Sequence, residues 1–275
     1  MEVKVMKRKI ALAQLDIQLG NPAENYQKAK QAIEEAASHH ADIVVLPEMW
    51  NTGYALDQLS DLADENGQKT QKFLSELALE NQINIVGGSV AVRCGQSFFN
   101  TTYVYDQKGN LISSYEKVHL FGLMNEDRYL KAGQKENHFE LAGVPSASFI
   151  CYDLRFPEWI RTVARYGTDI LYFSAEWPSK RIKQWKIMLQ SRAIENQAFV
   201  VAVNRVGTDL ENSFNGHSLV IDPLGQIIHD AGEVEQVSYA EIDLAQLAQV
   251  RGPSLPVCGV FDHQPAVRRP NGGPL

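Results

Sequence analysis

The feature that most constrains this chain is a set of short runs that are apolar at nearly every position. They cover residues 9–17 (KIALAQLDI), 42–48 (DIVVLPE), 83–92 (INIVGGSVAV), 144–153 (VPSASFICYD), 168–177 (TDILYFSAEW) and 198–207 (AFVVAVNRVG). Strands apolar on both faces must be covered on both faces, so they do not belong to a sheet with one side in water. Segments with helical spacing separate them. After Pro22 a stripe of Tyr26, Ile33 and Ala37 reads as a helix, and residues 57–81 place Phe73, Leu74, Leu77 and Ala78 on one face. Residues 155–167 stop at Gly167, and residues 181–197 keep Ile182, Trp185 and Leu189 in register. Two hairpins interrupt the alternation, at 100–117 with its turn through Asp106-Gln107-Lys108-Gly109-Asn110, and at 217–230 with Pro223-Leu224-Gly225 at the turn. A last strand is read at 237–244. The pattern predicts an α/β chain of two mixed sheets packed together, with helices outside each. No repeat, linker or shift in composition marks a boundary, so residues 1–275 are read as one domain. The Pro- and Gly-rich tail from about residue 252 is either an arm across a partner subunit or loose.

Charge narrows the partners. A net charge of -7 argues against nucleic acid or an anionic membrane as the main partner. No apolar run is long enough to span a bilayer, and the N-terminal MEVKVMKRKIALAQL reads as a tail leading into a strand, not as a signal peptide. The cysteines Cys94, Cys151 and Cys258 show no CxxC spacing, which fits neither a disulfide framework nor a zinc site; a reducing cytoplasm is the simplest compartment. The seven histidines form no HxH or HxxxH pair, and Gly87-Gly88 lacks the lysine of a phosphate loop, so neither metal nor cofactor is expected. Asn100-Thr101-Thr102 matches a glycosylation acceptor and is read as chance.

Three polar residues stand where a strand or hairpin ends, the positions from which a rigid scaffold presents catalytic groups. Glu48 closes DIVVLPE, Lys117 closes the second strand of the hairpin, and Cys151 closes SASFIC before a helix. A thiol is a weak nucleophile until its proton is removed or its thiolate stabilised. The following helix offers Cys151 a positive N-terminal end and free N–H groups. Glu48, partly buried after Pro47, is the candidate general base. Lys117 would stabilise both a tetrahedral oxyanion and the thiolate. His119 could share a face with Lys117 and is a rival base, although ordering the site is the reading preferred for it. Each residue alone has a blander alternative: a buried structural cysteine, a capping glutamate, a solvated lysine.

Together the segments carry more. LPEMWNTGY (46–54), EKVHLFG (116–122) and CYDLRFPEW (151–159) resemble the three signature segments of the nitrilase superfamily of carbon–nitrogen hydrolases, in the same order, and RAIENQAFVVAVNRVG (192–207) resembles a fourth. The resemblance implies a four-layer α-β-β-α sandwich, paired as a homodimer or higher homo-oligomer. It also implies a mechanism in which Cys151 attacks an amide carbon, Glu48 relays the proton, Lys117 and the backbone N–H of Tyr152 hold the oxyanion, ammonia leaves and water cleaves the thioester. Glu126 falls at the position of the family's second glutamate; its alternative is an exposed loop residue beside Asp127 and Arg128. Within the superfamily KVHLFGLMNE, CYDLRFPEW and SAEWPSKR resemble the omega-amidases, which hydrolyse the terminal amide of 2-oxo acids.

A 2-oxo dicarboxylic monoamide carries a carboxylate at its far end. Arg155 is a candidate bidentate anchor for it and Arg181 a second; the alternative for Arg155 is a salt bridge to Glu158 or Asp153. Tyr54 and Trp177 are candidate walls of a small pocket. Glu176 stands before Trp177-Pro178 where some relatives have Asn, which leaves the polarity of the pocket open. Competing readings are an amidase or carbamoyl hydrolase of the same superfamily acting on another small molecule, a non-catalytic scaffold of this fold, which would be expected to lack one of Glu48, Lys117 or Cys151, and a Cys–His enzyme of the papain kind.

Overall fold

The computed structural model describes residues 7–209 and 211–251; Cys258 and the tail read from residue 252 lie outside the described residues. Strand β1 (Lys7–Gln14) leads into helix α1 (Pro22–Ser38). The Asn21 side chain caps that helix by accepting from the Glu24 N–H at 3.3 Å, and Pro22 occupies its first turn, where a missing N–H costs nothing. One face of α1 buries Tyr26, Ala29, Ile33 and Ala36, three and four residues apart. Then come β2 (Ile43–Val45), α2 (Leu59–Leu62), β3 (Asp64–Glu65), α3 (Gln68–Asn81), β4 (Asn84–Val86), β5 (Val90–Cys94), β6 (Ser97–Tyr105) and β7 (Leu111–Glu116). The second half runs α4 (Glu126–Tyr129), β8 (Phe139–Leu141), β9 (Val144–Ile150), α5 (Pro157–Ala164), β10 (Ile170–Ala175), α6 (Ile182–Asn196) and β11 (Phe199–Asn204). It ends with β12 (Val206–Thr208), β13 (Ser213–Asn215), β14 (Leu219–Ile221), β15 (Ile227–Asp230), β16 (Gln236–Asp243) and α7 (Ala245–Val250).

Two mixed sheets form. One follows the order β16-β1-β2-β4-β6-β5-β3, with β7 on the other edge of β6; the other follows β15-β14-β11-β10-β9-β8. Side chains alternate across each strand. On β1, Ile10 and Leu12 face the second sheet and pack with Tyr172, Val201 and Val203, while Ala11 and Ala13 face α1 and α3 among Ala29, Ile33, Leu74 and Ala78. On the other sheet, Phe149, Leu171, Phe173 and Val200 face away from β1 and pack with Ile160 and Val163 of α5 and Trp185 and Leu189 of α6. The layers are therefore helix, sheet, sheet, helix, the sandwich the double-sided apolar strands require. β1, β2 and β4 are mutually parallel, as are β9, β10 and β11, so the loops following β2, β9, β10 and β11 open at carboxyl ends of strands.

Several boundaries differ from the sequence reading, each for a local reason. The single helix expected over 57–81 is broken between Ala63 and Gly67: Asn66 (φ 53°) and Gly67 (φ 65°) are left-handed, and the Asp64 carboxylate turns to cap α3, accepting from the N–H groups of Lys69 (3.1 Å) and Thr70 (2.7 Å). The strand expected over 144–153 ends at Ile150, where Cys151 begins a 3₁₀ turn, and α5 starts at Pro157, not at residue 155. The short helix α7 lies beyond the last expected strand.

The strand expected over 83–92 is two, β4 and β5, both on one edge of β6 and separated by Gly87-Gly88-Ser89. That gap grips the loop after β2. Ser89 donates its N–H to the Pro47 carbonyl (3.0 Å) and its Oγ accepts from the Met49 N–H (3.0 Å), and the Trp50 indole donates to the Gly87 carbonyl (2.7 Å). A Cβ on Gly88, at φ +61°, would lie 2.0 Å from the Pro47 oxygen. Gly95 has nearly the same φ, +60°, with nothing within 4 Å of its would-be Cβ. The pair separates strain from contact. Gly95→Ala is expected to cost about 1–2 kcal/mol for the left-handed backbone alone, and Gly88→Ala roughly 2 kcal/mol more for the forced displacement. Urea unfolding of the two variants measures the difference, and equal losses would show that the loop after β2 yields freely.

Candidate active site

Glu48, Lys117 and Glu126 meet where the two sheets' strand ends converge, and all three are fully buried. Lys117 Nζ donates to Glu48 Oε1 at 2.8 Å and to Glu126 at 2.8 Å. Each group is fixed from behind by backbone. Glu48 Oε2 accepts from the Glu176 N–H (2.8 Å), and Glu126 Oε2 from the Phe121 N–H (2.6 Å). Lys117 is held at both ends of its own peptide unit, donating its N–H to the Asn100 carbonyl (2.9 Å) and accepting from the Gly133 N–H (2.9 Å). Burial disfavours the ammonium, but the carboxylates of Glu126 and Glu48 outweigh it and hold Lys117 charged, its pKa raised above the ordinary lysine value. Glu126 is pushed up by burial and by Glu48 and drawn down by Lys117, with a net rise. It is therefore not the exposed loop residue that its neighbours Asp127 and Arg128 suggested.

Two further side chains enter this cluster. Tyr54 hydroxyl lies 2.8 Å from Glu48 Oε1 and 2.8 Å from Glu126 Oε1. A phenol has one hydrogen, so it serves one carboxylate at a time. Tyr54, expected as a pocket wall, lines a larger cavity rather than the one at Cys151, and its hydroxyl also joins the charged cluster because Glu48 and Glu126 converge on it. Asn100 donates to Glu48 Oε1 at 2.9 Å. Its side chain is 1% exposed, which removes the glycosylation reading of that site. A polar residue inside an otherwise β-forming strand was the signal that could have marked it.

Cys151 sits at φ 43°, a left-handed conformation uncommon for a residue with a Cβ, at the corner between β9 and the 3₁₀ turn Cys151–Arg155. Asp153 holds that corner. Its Oδ2 accepts from the Ile150 N–H (3.0 Å) and the Tyr115 hydroxyl (2.7 Å), and its Oδ1 from the His119 N–H (3.0 Å) and Nδ1 (2.8 Å). One buried carboxylate thus ties the cysteine turn to the segment that carries Lys117. His119 stacks on Phe156 with ring centroids 3.7 Å apart, and its ring hydrogen bond goes to Asp153, not to Cys151. Among the described residues no hydrogen bond joins the His119 ring to Cys151, and its contacts accord with an ordering role.

The thiol of Cys151 is 4% exposed. Burial pushes its pKa well above the ordinary value, Glu48 and Glu126 push the same way, and Lys117 opposes them. The sequence reading expected Lys117 and a helix N-terminus to hold a thiolate. Burial and two carboxylates beside one ammonium reverse that balance, and α5 begins six residues later, so the sulfur holds its proton more tightly than an ordinary thiol does.

Beside Cys151 lies a narrow cavity of about 10 Å³, room for one water, lined by Phe121, Tyr152, Arg155, Glu176, Trp177 and Arg181 among others. Arg155 was weighed as the partner of Asp153 or Glu158, but Asp153 is occupied as described. Among the described residues neither Arg155 nor Arg181 makes a side-chain hydrogen bond or ion pair. Arg155 lies 5.2 Å from the Trp177 ring and 5.9 Å from that of Tyr152, and Arg181 lies 5.6 Å from the Phe121 ring. Trp177 is the expected wall, fixed by its indole N–H on the Arg181 carbonyl (2.8 Å) and its backbone N–H on Asn204 Oδ1 (2.7 Å). A larger cavity of about 300 Å³, with Leu19, Asp57, Met124 and Asp209 in its wall, meets the charged cluster through Tyr54. Cys151 is not in its wall and lines the smaller one. No group of three or more potential metal ligands occurs among the described residues.

The arrangement has close relatives. Residues 9–252 match the carbon-nitrogen hydrolase family. The chain is 49% identical to a 2-oxoglutaramate amidase of Bacillus subtilis over 92% of its length and 96% of that protein's, and 32% identical to a human omega-amidase over 88% and 91%. Its fold superposes on a carbon-nitrogen hydrolase superfamily protein of Xanthomonas campestris with a TM-score of 0.83 and 35% identity, covering 89% of this chain and 94% of that one. A family match across nearly the whole chain, with the glutamate, lysine and cysteine gathered at one point, makes this chain a member of the carbon-nitrogen hydrolase family.

Proposed function

We propose that the protein is an omega-amidase that hydrolyses the terminal amide of a small 2-oxo dicarboxylic acid monoamide of the 2-oxoglutaramate kind, releasing ammonia. The observation that carries this reading is the pair of guanidiniums, Arg155 and Arg181, without a hydrogen-bond or ion-pair partner among the described residues, in the wall of the cavity that holds Cys151. A guanidinium donates in a fixed fork matched to a carboxylate. A substrate with a carboxylate at one end and an amide at the other satisfies them and Cys151 together. The named activity of the Bacillus subtilis relative supports the same substrate class. Because the cavity has room for about one water, substrate entry requires the half-buried side chains of Arg155 and Arg181 to swing outward.

In the proposed reaction Glu48 takes the proton of Cys151 as the sulfur attacks the amide carbon. The oxyanion is held by Lys117 and by the Tyr152 N–H, which as the second residue of a 3₁₀ turn has no partner inside the turn. Glu48 returns the proton to the departing nitrogen, ammonia leaves, and Glu48 then activates the water that cleaves the thioester. Glu126 and Tyr54 keep Lys117 and Glu48 in place. No metal or cofactor enters any of these steps. We place the enzyme in the cytoplasm, where a free nucleophilic thiol stays reduced; no helix among the described residues is long and apolar enough to cross a membrane. We read it as one catalytic domain acting as a homodimer. Ile187 and Ile194, seven residues apart on α6, are 56% and 53% exposed and give that helix an apolar outer face for a second copy.

Purified protein is expected to release ammonia from 2-oxoglutaramate, and Cys151→Ala to abolish release while remaining folded. Ammonia without carbon dioxide separates this reading from a carbamoyl hydrolase. Lys117→Ala is expected to lower turnover by about 10²–10³-fold through loss of an oxyanion donor. A folded Lys117→Ala enzyme with near-normal turnover would sink the mechanism.

A further inference from the structure

Glu176 is the one buried acid of the site that the mechanism leaves without a task. It follows β10 directly and is fully buried. Its backbone N–H is spent on Glu48 Oε2, and its own Oε2 accepts from Arg205 Nη1 at 3.2 Å. Arg205, also fully buried, is fixed by donating to the carbonyls of Ile17 (2.6 Å) and Val206 (3.0 Å). Glu176 Oε1, by contrast, is buried with no hydrogen-bond partner among the described residues. A buried carboxyl oxygen without a partner is costly, and here the residue lines the cavity shared by Cys151, Arg155 and Arg181. The missing partner belongs to whatever occupies that cavity.

Whether Oε1 accepts or donates follows from the charges facing it. Glu48 stands on one side, at the end of β2, and Arg205 on the other, at the end of β11. Asp209 acts from the loop after β12, and Cys151, Arg155 and Arg181 lie around the cavity. Lys117 is shared by Glu48 and Glu126, and Arg205 is divided between Glu176 and Asp16. An ionised Glu176 would place a further negative charge near Glu48, beside the place where an amide becomes an oxyanion. Burial pushes its pKa up, Arg205 pulls it down, Glu48 pushes it up again, and the balance lies at about 8. Because Oε2 is engaged by Arg205, the proton of the neutral acid belongs on Oε1.

We propose that Glu176 is a substrate-contacting residue, its protonated Oε1 donating a hydrogen bond to a carbonyl oxygen of the amide bound beside Cys151. The inference rests on the amidase reading above and goes beyond it by adding a third hydrogen-bond donor. A carboxyl kept neutral by a buried site, so that it can donate, is an established device in enzymes.

The sign of the pH dependence follows. The donor form is present below the pKa of Glu176 and is lost as pH rises through it. The kcat/KM of the wild-type enzyme for 2-oxoglutaramate is therefore expected to fall on an alkaline limb centred near 8. Cys151, Lys117 and Tyr54 are all pushed above their ordinary values, away from this window. Glu176→Gln keeps an acceptor for Arg205 and presents an NH₂ donor in place of the acid. Its kcat/KM at pH 7 is expected to lie well above that of Glu176→Ala, and its pH profile to lose the alkaline limb. Glu176→Ala, checked for folding by thermal melting because it strands Arg205, is expected to lose about 10²-fold. An alkaline limb that persists unchanged in Glu176→Gln, or its absence in the wild type, overturns the proposal, as does a folded Glu176→Gln enzyme as slow as Glu176→Ala. Absence of ammonia release by the wild type at any pH would instead sink the amidase reading itself.

Discussion

A single ammonium shared by two buried carboxylates is the constraint around which this molecule is arranged. Lys117 Nζ lies 2.8 Å from both Glu48 and Glu126, with no solvent at any of the three. Desolvation of each ion costs several kcal/mol, and only close pairing offsets it. Loss of the cluster's central ammonium would leave two like charges facing each other without water, and one of the carboxylates would have to take up a proton. The backbone accordingly fixes every member. The N–H of Glu176, the N–H of Phe121, the carbonyl of Asn100 and the N–H of Gly133 each hold one residue of the three. These anchors come from separate segments of chain, which is why both sheets must be complete before the site exists.

The same logic explains why the site spans the seam between the sheets. Glu48 arrives from β2 and Lys117 from β7 in one sheet, Cys151 from β9 and Glu176 from β10 in the other. Ser174 of β10 donates to the Leu46 carbonyl at 2.9 Å, a hydrogen bond that crosses from one sheet to the other just behind Glu48 and Glu176. Asp153 crosses in the opposite sense, reaching from the cysteine turn to Tyr115 and His119. Positions at strand ends have a rigid sheet behind them and a loop in front, so groups can be placed to fractions of an ångström without freezing the cavity they face.

This geometry also decides what could be read in advance. Glu48, Lys117 and Cys151 were legible because each is a polar residue closing a strand or hairpin, a local signal. Strands apolar on both faces likewise foretold two packed sheets with helices outside each. Arg205 and the inward turn of Asp153 were not legible, because their importance comes from partners dozens of residues away. Tyr54 does wall a cavity, but its hydroxyl's place between Glu48 and Glu126 was hidden, because those partners come from separate segments. The break at Gly87-Gly88-Ser89 was hidden because two glycines inside an apolar run are compatible with one continuous strand. What forces the break is the approach of Pro47, which the local sequence does not record. The break in the helix over 57–81 did leave a signal, since Asn66-Gly67 is a turn dipeptide, but the apolar stripe beyond it dominated the reading.

The neutral resting state of Cys151 follows from the same charges and has a use in the proposed reaction. A thiolate held permanently beside Glu48 and Glu126 would be a third negative charge against one ammonium. Keeping the proton on sulfur until attack leaves the cluster at one net negative charge. When Glu48 takes that proton the cluster becomes neutral, and the negative charge reappears on the substrate oxygen. Lys117, released from half of its pairing as Glu48 is neutralised, then has a stronger claim on that oxygen than on the glutamic acid it leaves. The oxyanion donor is therefore strengthened by the same proton transfer that creates the nucleophile, with no rearrangement of the backbone, which is the condition for electrostatic preorganisation to lower a barrier.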